Sequence, residues 1–243
     1  MLKLFATSRA RGGHHRLTAF RESPARSLVP RPLGYRKGHL ALVEFIPGTP
    51  LDQLADDALT PAAELAGRAL RRLHDSGVEL DRTWGSGDEI AQLRRTVGPV
   101  TRRAVERAIA RWSLPAKGRS VPSHRDCHPA QVVWTGDGVR LIDLDDSAMA
   151  PPGLDVGNFL AHLQADAILE RRAEDAIRAA VEAFANGYGS EPPALRAWTQ
   201  LALARLAALA ERRNGSVERA TVLCRALERV APVSAGYRRR LLN

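Results

Sequence analysis

Two cysteines, three lysines and 5% aromatic residues among 243 positions leave this chain without several common devices. Cys127 and Cys224 cannot build a disulfide framework, and no Cys/His group has zinc-site spacing. The nearest pairs, His14-His15 and His124/His128, read better as an exposed loop pair and a loop scaffold than as metal ligands. No apolar run is long enough to span a bilayer, and no signal-peptide pattern is seen, so a cytoplasmic protein without membrane contact is expected. No repeat or low-complexity segment is found. A Gly-rich phosphate loop of the G-x-G-x-x-G type is also missing: Gly12-Gly13 lacks both that pattern and a strand before it.

What the chain does have is arginine. The net charge is +9 and the pI about 10.6, with lysine only at Lys3, Lys37 and Lys117. The arginines are spread along segments of helical periodicity without interleaved aromatics, which reads as solvated helix faces and makes a nucleic-acid surface unlikely. Part of the charge is available to attract an anionic nucleotide or an acidic substrate. With few aromatics, the core rests on Leu, Ala, Val and Ile, and the Ala-Leu-Arg richness favours helix.

Met1 to Phe5 reads as a short strand entered without a preceding turn, Arg9 to Gly13 as a loop, and His14 to Glu22 as a helix stopped by Ser23-Pro24. Val29 to Gly34 is extended, and His39 to Ile46 reads as a buried strand ended by Pro47-Gly48. Thr60-Pro61-Ala62-Ala63-Glu64 carries the signals of a helix start, with a stripe through Leu65, Ala69, Leu70 and Leu73 to a stop at Gly77. Helix is expected from about Asp88 to Trp112, broken near Gly98-Pro99. Gln131 to Trp134, Gly136-Asp137-Gly138 and Val139 to Asp143 form a hairpin by their turn chemistry, and about four helices follow from Asp155 onward.

The chemistry concentrates in Ser123-His124-Arg125-Asp126-Cys127-His128-Pro129-Ala130-Gln131 and in Asp143, inside the apolar run Arg140 to Leu144. A His-Arg-Asp triplet, an amide five residues after its Asp and a carboxylate at a strand end are what phosphoryl transfer requires. That reaction needs the nucleophile positioned and the triphosphate charge neutralised. One Asp to accept the hydroxyl proton, with a carboxylate and an amide oxygen on Mg²⁺, supplies both. Alone, Asp126 reads as a turn cap; with Gln131 and Asp143 at this spacing it reads as part of a kinase-like site. His124 reads as loop architecture more than as a proton carrier, and Asp145 as either a second metal ligand or a solvated carboxylate.

This stretch resembles the catalytic core of the aminoglycoside phosphotransferase family, also called the phosphotransferase enzyme family, which shares the protein-kinase-like fold. The resemblance implies an α+β, two-lobed molecule: a short β-containing N-terminal lobe over residues 1–47 and a helical C-terminal lobe over residues 48–243 with the catalytic loop and the hairpin. It implies Asp126 as catalytic base, Gln131 and Asp143 as Mg²⁺ ligands, and ATP or GTP as phosphoryl donor. Gln131 departs from the family's usual Asn but keeps the carbonyl oxygen. Asp155 matches a family Asp with a structural role. Lys3, paired with Glu22, would hold the nucleotide phosphates, and Glu44, Phe45 and Ile46 would form the hinge against the base. The resemblance starts at the family's third strand, so a shortened N-terminal lobe is expected.

The partners implied are a nucleotide and a small-molecule hydroxyl acceptor. The acceptor's identity does not follow from the fold, although the Arg-rich C-terminal half argues against a polycation. A degenerate kinase-like protein that binds nucleotide or a partner without turnover is the alternative.

Overall fold

The computed structural model describes residues 1–4, 10–36, 39–112 and 118–229. Strand β1 (Leu2–Leu4), helix α1 (Ala10–Arg21), β2 (Pro32–Arg36) and β3 (Leu40–Val43) come first, and the strands form an antiparallel sheet in the order β1-β3-β2. Lys3 lies opposite Ala41, and Leu2 opposite Leu42. Side chains alternate across a strand, so Lys3 shares the inner face with Ala41, while Leu2 and Leu42 face outward and are exposed. The apolar run His39 to Ile46 is therefore a half-buried strand rather than a fully buried one.

Helix α1 includes Ala10 to Gly13, where a loop over Arg9 to Gly13 was expected; Arg9 lies outside the described residues. Local glycine propensity yields here to tertiary packing, because Leu17 and Phe20 are buried in the core and fix the helix. Phe5 lies outside the described residues.

Beyond β4 (Thr49–Pro50) the chain is mainly helical: α2 (Asp56–His74), α3 (Ser86–Thr96) and α4 (Arg102–Ile109) precede β5 (Val121–Ser123). Helix α2 starts at Asp56, before the expected cap at Thr60, and Pro61 falls inside it. Pro61 is exposed and lies in the second turn, where only one backbone bond is forfeited. The helix ends as expected, with Gly77 in the left-handed region at φ +71°. The expected break between α3 and α4 is present.

Strands β6 (Val132–Trp134) and β7 (Val139–Leu141) form the hairpin, with Val132 opposite Leu141, and β6 also pairs with β4. Strand β8 (Ala148–Ala150) pairs with β5. Helices α5 (Pro152–Ile168), α6 (Glu174–Tyr188), α7 (Leu195–Asn214) and α8 (Val217–Arg229) complete the fold.

Helix α5 is buried on nearly every side and is the central helix. One face joins α2, α6 and the hairpin in a core around Phe159 and Phe184, whose rings stack at 4.1 Å. The other face, through Leu154, Ala161 and Ala165, joins α3, α4, α7 and α8. Helices α2 and α6 approach backbone to backbone: a Cβ on Gly67 would lie 2.2 Å from the Phe184 carbonyl oxygen, and one on Gly187 2.0 Å from that of Glu64. No helix among the described residues is long and apolar enough to cross a membrane. Both cysteines are buried and free.

Candidate active site

The loop between β5 and β6 is held from below by Asp155. This carboxylate is fully buried in the first turn of α5, and it accepts the backbone N–H groups of His124 and Arg125, each at 2.7 Å. Its Oδ2 also lies 3.1 Å from His74 Nε2, and His74 Nδ1 lies 2.9 Å from the Tyr188 hydroxyl. Burial pushes the Tyr188 hydroxyl well above its usual range, so it remains protonated. With its loop N–H groups bonded to a carboxylate, Arg125 is kept at φ 71°, a left-handed conformation unfavourable for a residue with Cβ.

His124 closes the loop from the side. Its Nδ1 accepts the Asp126 N–H at 3.3 Å and its Nε2 donates to the Ile142 carbonyl at 2.8 Å. The ring thus ties the segment that carries Asp126 to the one that carries Asp143, as an architectural residue would. The Asp126 carboxylate is half-exposed. Its Oδ1 accepts from Arg205 Nη2 on α7 at 2.9 Å, and the same nitrogen lies 2.7 Å from Asn158 Oδ1. Asn158 in turn donates to the Cys127 carbonyl at 2.8 Å. His128 Nε2 stands 3.8 Å from Asp126 Oδ2, and the His128 ring stacks on His162 at 4.3 Å with 7° between the planes.

The second half of the site forms where β7 ends. Asp143 adopts φ 64°, which terminates the strand and starts a single 3-10 turn over Leu144–Asp146. The strand does not continue to Asp145. The tight turn instead brings both carboxylates to Lys3, whose Nζ is 2.6 Å from Asp143 Oδ1 and 2.6 Å from Asp145 Oδ2. Burial alone would lower the lysine pKa, but these two bonds outweigh it and raise it. The carboxylates divide one ammonium between them. Burial acts upward on both, the Lys3 bonds bring Asp143 below its ordinary value, and repulsion from Asp143 adds to burial in keeping Asp145 above its own.

Glu22 does not pair with Lys3. It follows the last residue of α1 and is exposed, whereas the face of α1 toward the cluster presents Gly13 and Arg16. A Cβ on Gly13 would meet Asp145 Oδ1 at 3.2 Å, and Arg16 Nη2 donates to the Asp145 carbonyl at 2.6 Å. The carboxylate partner of Lys3 therefore comes from the turn after β7 instead of the helix.

Gln131 Nε2 lies 3.4 Å from Asp143 Oδ2, and the Ile142 N–H donates to the Gln131 carbonyl at 2.9 Å. Rotation of the amide would present its oxygen at the same point. Among the described residues no cluster of three or more His, Cys, Asp or Glu side chains is placed to hold a metal. The donors gathered here are two carboxylates and an amide, all oxygen, which suits Mg²⁺ held jointly by protein and phosphate oxygens.

A cleft of about 60 Å³ is lined by Lys3, Asp143 and Asp145 together with Glu44, Phe45 and Ile46. The Glu44 N–H is bonded to the Arg31 carbonyl and its side chain turns to Arg31 and Arg140. Those bonds hold the Glu44 carboxyl below its usual range against the upward effect of burial. The structure thus gathers Lys3, Glu44, Phe45, Ile46, Gln131 and Asp143, places Asp126 beside them through His124, and leaves Glu22 outside. Sequence reasoning missed Arg205 and Asn158: Arg205 stands out only as part of the basic content of the C-terminal half, and no local pattern marks either residue.

Residues 2–203 match the model of the phosphotransferase enzyme family. No curated protein matches the sequence. Among solved structures, an aminoglycoside phosphotransferase from Streptomyces rimosus is 21% identical, with a TM-score of 0.57 over 82% of this chain and 83% of that one. A choline/ethanolamine kinase family protein from Mesorhizobium loti is 17% identical, with a TM-score of 0.63 over 94% and 82%. A macrolide 2'-phosphotransferase from Brachybacterium faecium is 20% identical, with a TM-score of 0.55 over 96% and 84%. These likenesses show a shared kinase-like fold.

Proposed function

The chain belongs to the phosphotransferase enzyme family, and on that premise we propose that it moves the γ-phosphoryl group of ATP or GTP to a hydroxyl of a small molecule. The observation that carries this reading is that Lys3 and Asp143, the latter beside Gln131, line one cleft together with Glu44, Phe45 and Ile46. The Streptomyces rimosus enzyme has been solved with ADP and streptomycin, which supports nucleotide use by the shared fold.

In this reading Lys3 neutralises phosphate charge and the hinge backbone receives the base. Phe45 and Ile46 frame it; Glu44 serves through its backbone carbonyl, since its N–H is bonded to the Arg31 carbonyl and its side chain is occupied by Arg31 and Arg140. Asp143 and Gln131, with Asp145 beside them, would hold Mg²⁺, whose contribution when bound is to neutralise the phosphate oxygens. Asp126 accepts the proton of the acceptor hydroxyl as the oxygen attacks phosphorus. His124 keeps Asp126 and Asp143 in fixed relation, and Asp155 keeps the loop that carries Asp126 in its left-handed turn.

One observation favours a second reading, a nucleotide-binding protein without turnover: Lys3 is engaged by two carboxylates and Asp126 by Arg205, so both must exchange partners before transfer. ADP release from Mg-ATP, measured across a panel of hydroxylated metabolites, separates the two. Acceptor-dependent release supports transfer; nucleotide binding with no release on any acceptor supports the second reading.

A further inference from the structure

Asp126 is covered on one oxygen by a side chain from α7. Arg205, whose side chain is 14% exposed, donates from Nη2 to Asp126 Oδ1 at 2.9 Å and to Asn158 Oδ1 at 2.7 Å. A guanidinium Nη carries two N–H groups, one for each of these oxygens. Asn158 is buried on α5 and donates to the Cys127 carbonyl, so its oxygen is fixed and anchors Arg205 whatever Asp126 does. The Asp126 carboxylate, at 47% exposed, is open to an incoming hydroxyl except where Arg205 covers it.

The other end of the guanidinium faces a second carboxylate. Arg205 Nη1 stands 3.7 Å from Glu89 Oε1, just beyond hydrogen-bonding distance. Glu89, in the first turn of α3, is buried, and its Oε2 accepts from Trp84 Nε1 at 2.8 Å, which fixes the carboxylate. One guanidinium thus stands between two carboxylates, bonded to the exposed one and held off from the buried one. Bonding to a cation gains most where water is excluded, and a buried charge costs most where its counter-charge is not bonded. Glu89 is therefore placed to receive Arg205 whenever Asp126 gives it up.

We propose that Arg205 and Glu89 are positioning residues for the base: Arg205 passes from Asp126 to Glu89 as the acceptor hydroxyl arrives, and so uncovers Asp126 Oδ1. The proposal rests on the phosphotransferase reading and concerns the control of that same site. The exchange trades one charge-assisted hydrogen bond for another, with Asn158 as its fixed point, so it needs no large input of free energy. Without an acceptor the base stays covered.

Double-mutant cycles of urea unfolding test this without turnover. The coupling between Glu89→Gln, which keeps an oxygen for Trp84, and Arg205→Met is measured with Asp126 present and again in Asp126→Ala. Removal of Asp126 should raise that coupling about threefold or more in the unfolding equilibrium constant, because Nη1 closes on Glu89. A pair with a structural role alone couples equally in both backgrounds, and a smaller rise or none overturns the proposal. If a cycle variant does not fold, the crystal structure of Asp126→Ala decides: Nη1 should lie within about 3.5 Å of Glu89 Oε1, and a longer separation overturns the proposal. With an acceptor found by ADP release, Glu89→Gln should lower kcat about tenfold or more, and adding Arg205→Met should recover most of that loss. No loss, or a loss that is not recovered, overturns it as well. Because the cycle and the crystal structure need no turnover, an absence of ADP release counts against phosphoryl transfer alone.

Discussion

Lys3 and Asp143, 140 positions apart in the chain, meet at 2.6 Å and join the first strand to the end of the hairpin. The contact places the ammonium on the carboxylate that in the proposed function receives a cation, so Lys3 and a metal would compete for Asp143 until phosphate oxygens drew the lysine away. Lys3→Met should therefore act in opposite directions on two ligands. Mg²⁺ binding without nucleotide should strengthen, because Asp143 and Asp145 lose their counter-charge. Mg-ATP binding should weaken by about tenfold or more, the scale of a charge-assisted hydrogen bond of about 1.5–3 kcal/mol. Calorimetric titrations of both ligands check the signs.

Asp155 carries the loop geometry. It is fully buried, accepts two backbone N–H groups and faces His74, so Asp155→Ala leaves several buried polar groups without partners. A loss of about 3–5 kcal/mol in urea unfolding is expected, the range for breaking a buried charged network. A loss below about 1 kcal/mol would show that the loop is held by other means.

The contact of α2 with α6 depends on the missing side chains of Gly67 and Gly187. Gly187→Ala puts a methyl carbon 2.0 Å from the Glu64 carbonyl oxygen, and the backbones must separate. The expected cost is about 2 kcal/mol or more, toward the upper end for overpacking, seen as a lowered thermal midpoint. Gly136→Ala, at a hairpin turn with open space around it, tests φ strain without any clash and should cost less.

His128 and His162 predict an acid sensitivity. Burial lowers the pKa of both, that of His162 most strongly; His128 and Arg205 push His162 further down, whereas on His128 the Asp126 carboxylate partly opposes burial. Both are neutral in the folded chain at a pH where the unfolded chain, with ordinary values near 6.5, begins to bind protons. The unfolded state then holds more protons, so stability falls as pH drops below about 6.5, by up to about 1.4 kcal/mol per pH unit for each histidine. Urea unfolding between pH 7.5 and 5 should show this slope, and His162→Gln should reduce it.

The Asp126, Gln131 and Asp143 pattern was legible because it is local: loop, hairpin and strand end lie within 18 residues, and turn chemistry alone brings Gln131 to Asp143. The helices were legible from their periodicity, as was the Gly77 stop. The start of α2 was not, because Thr60-Pro61 imitates a cap inside a helix that packing extends to Asp56. Nor was the partner of Lys3. Sequence proximity favoured Glu22, but a pairing across 140 residues is set by the left-handed turn at Asp143, which no composition or period announces. Arg205 is hidden for the same reason: one arginine among many on α7 becomes particular only when α5 and α7 pack and direct it to Asp126 and Asn158.

The central claim is that Asp126 takes the acceptor proton, and Asp126→Asn tests it most directly, because the amide keeps the shape of the side chain and removes the base. With an acceptor found by ADP release, the variant should bind Mg-ATP as wild type does while acceptor-dependent turnover falls by about 10²–10⁴-fold, the usual contribution of a general base. Turnover within about twofold of wild type, with nucleotide binding unchanged, would contradict the account.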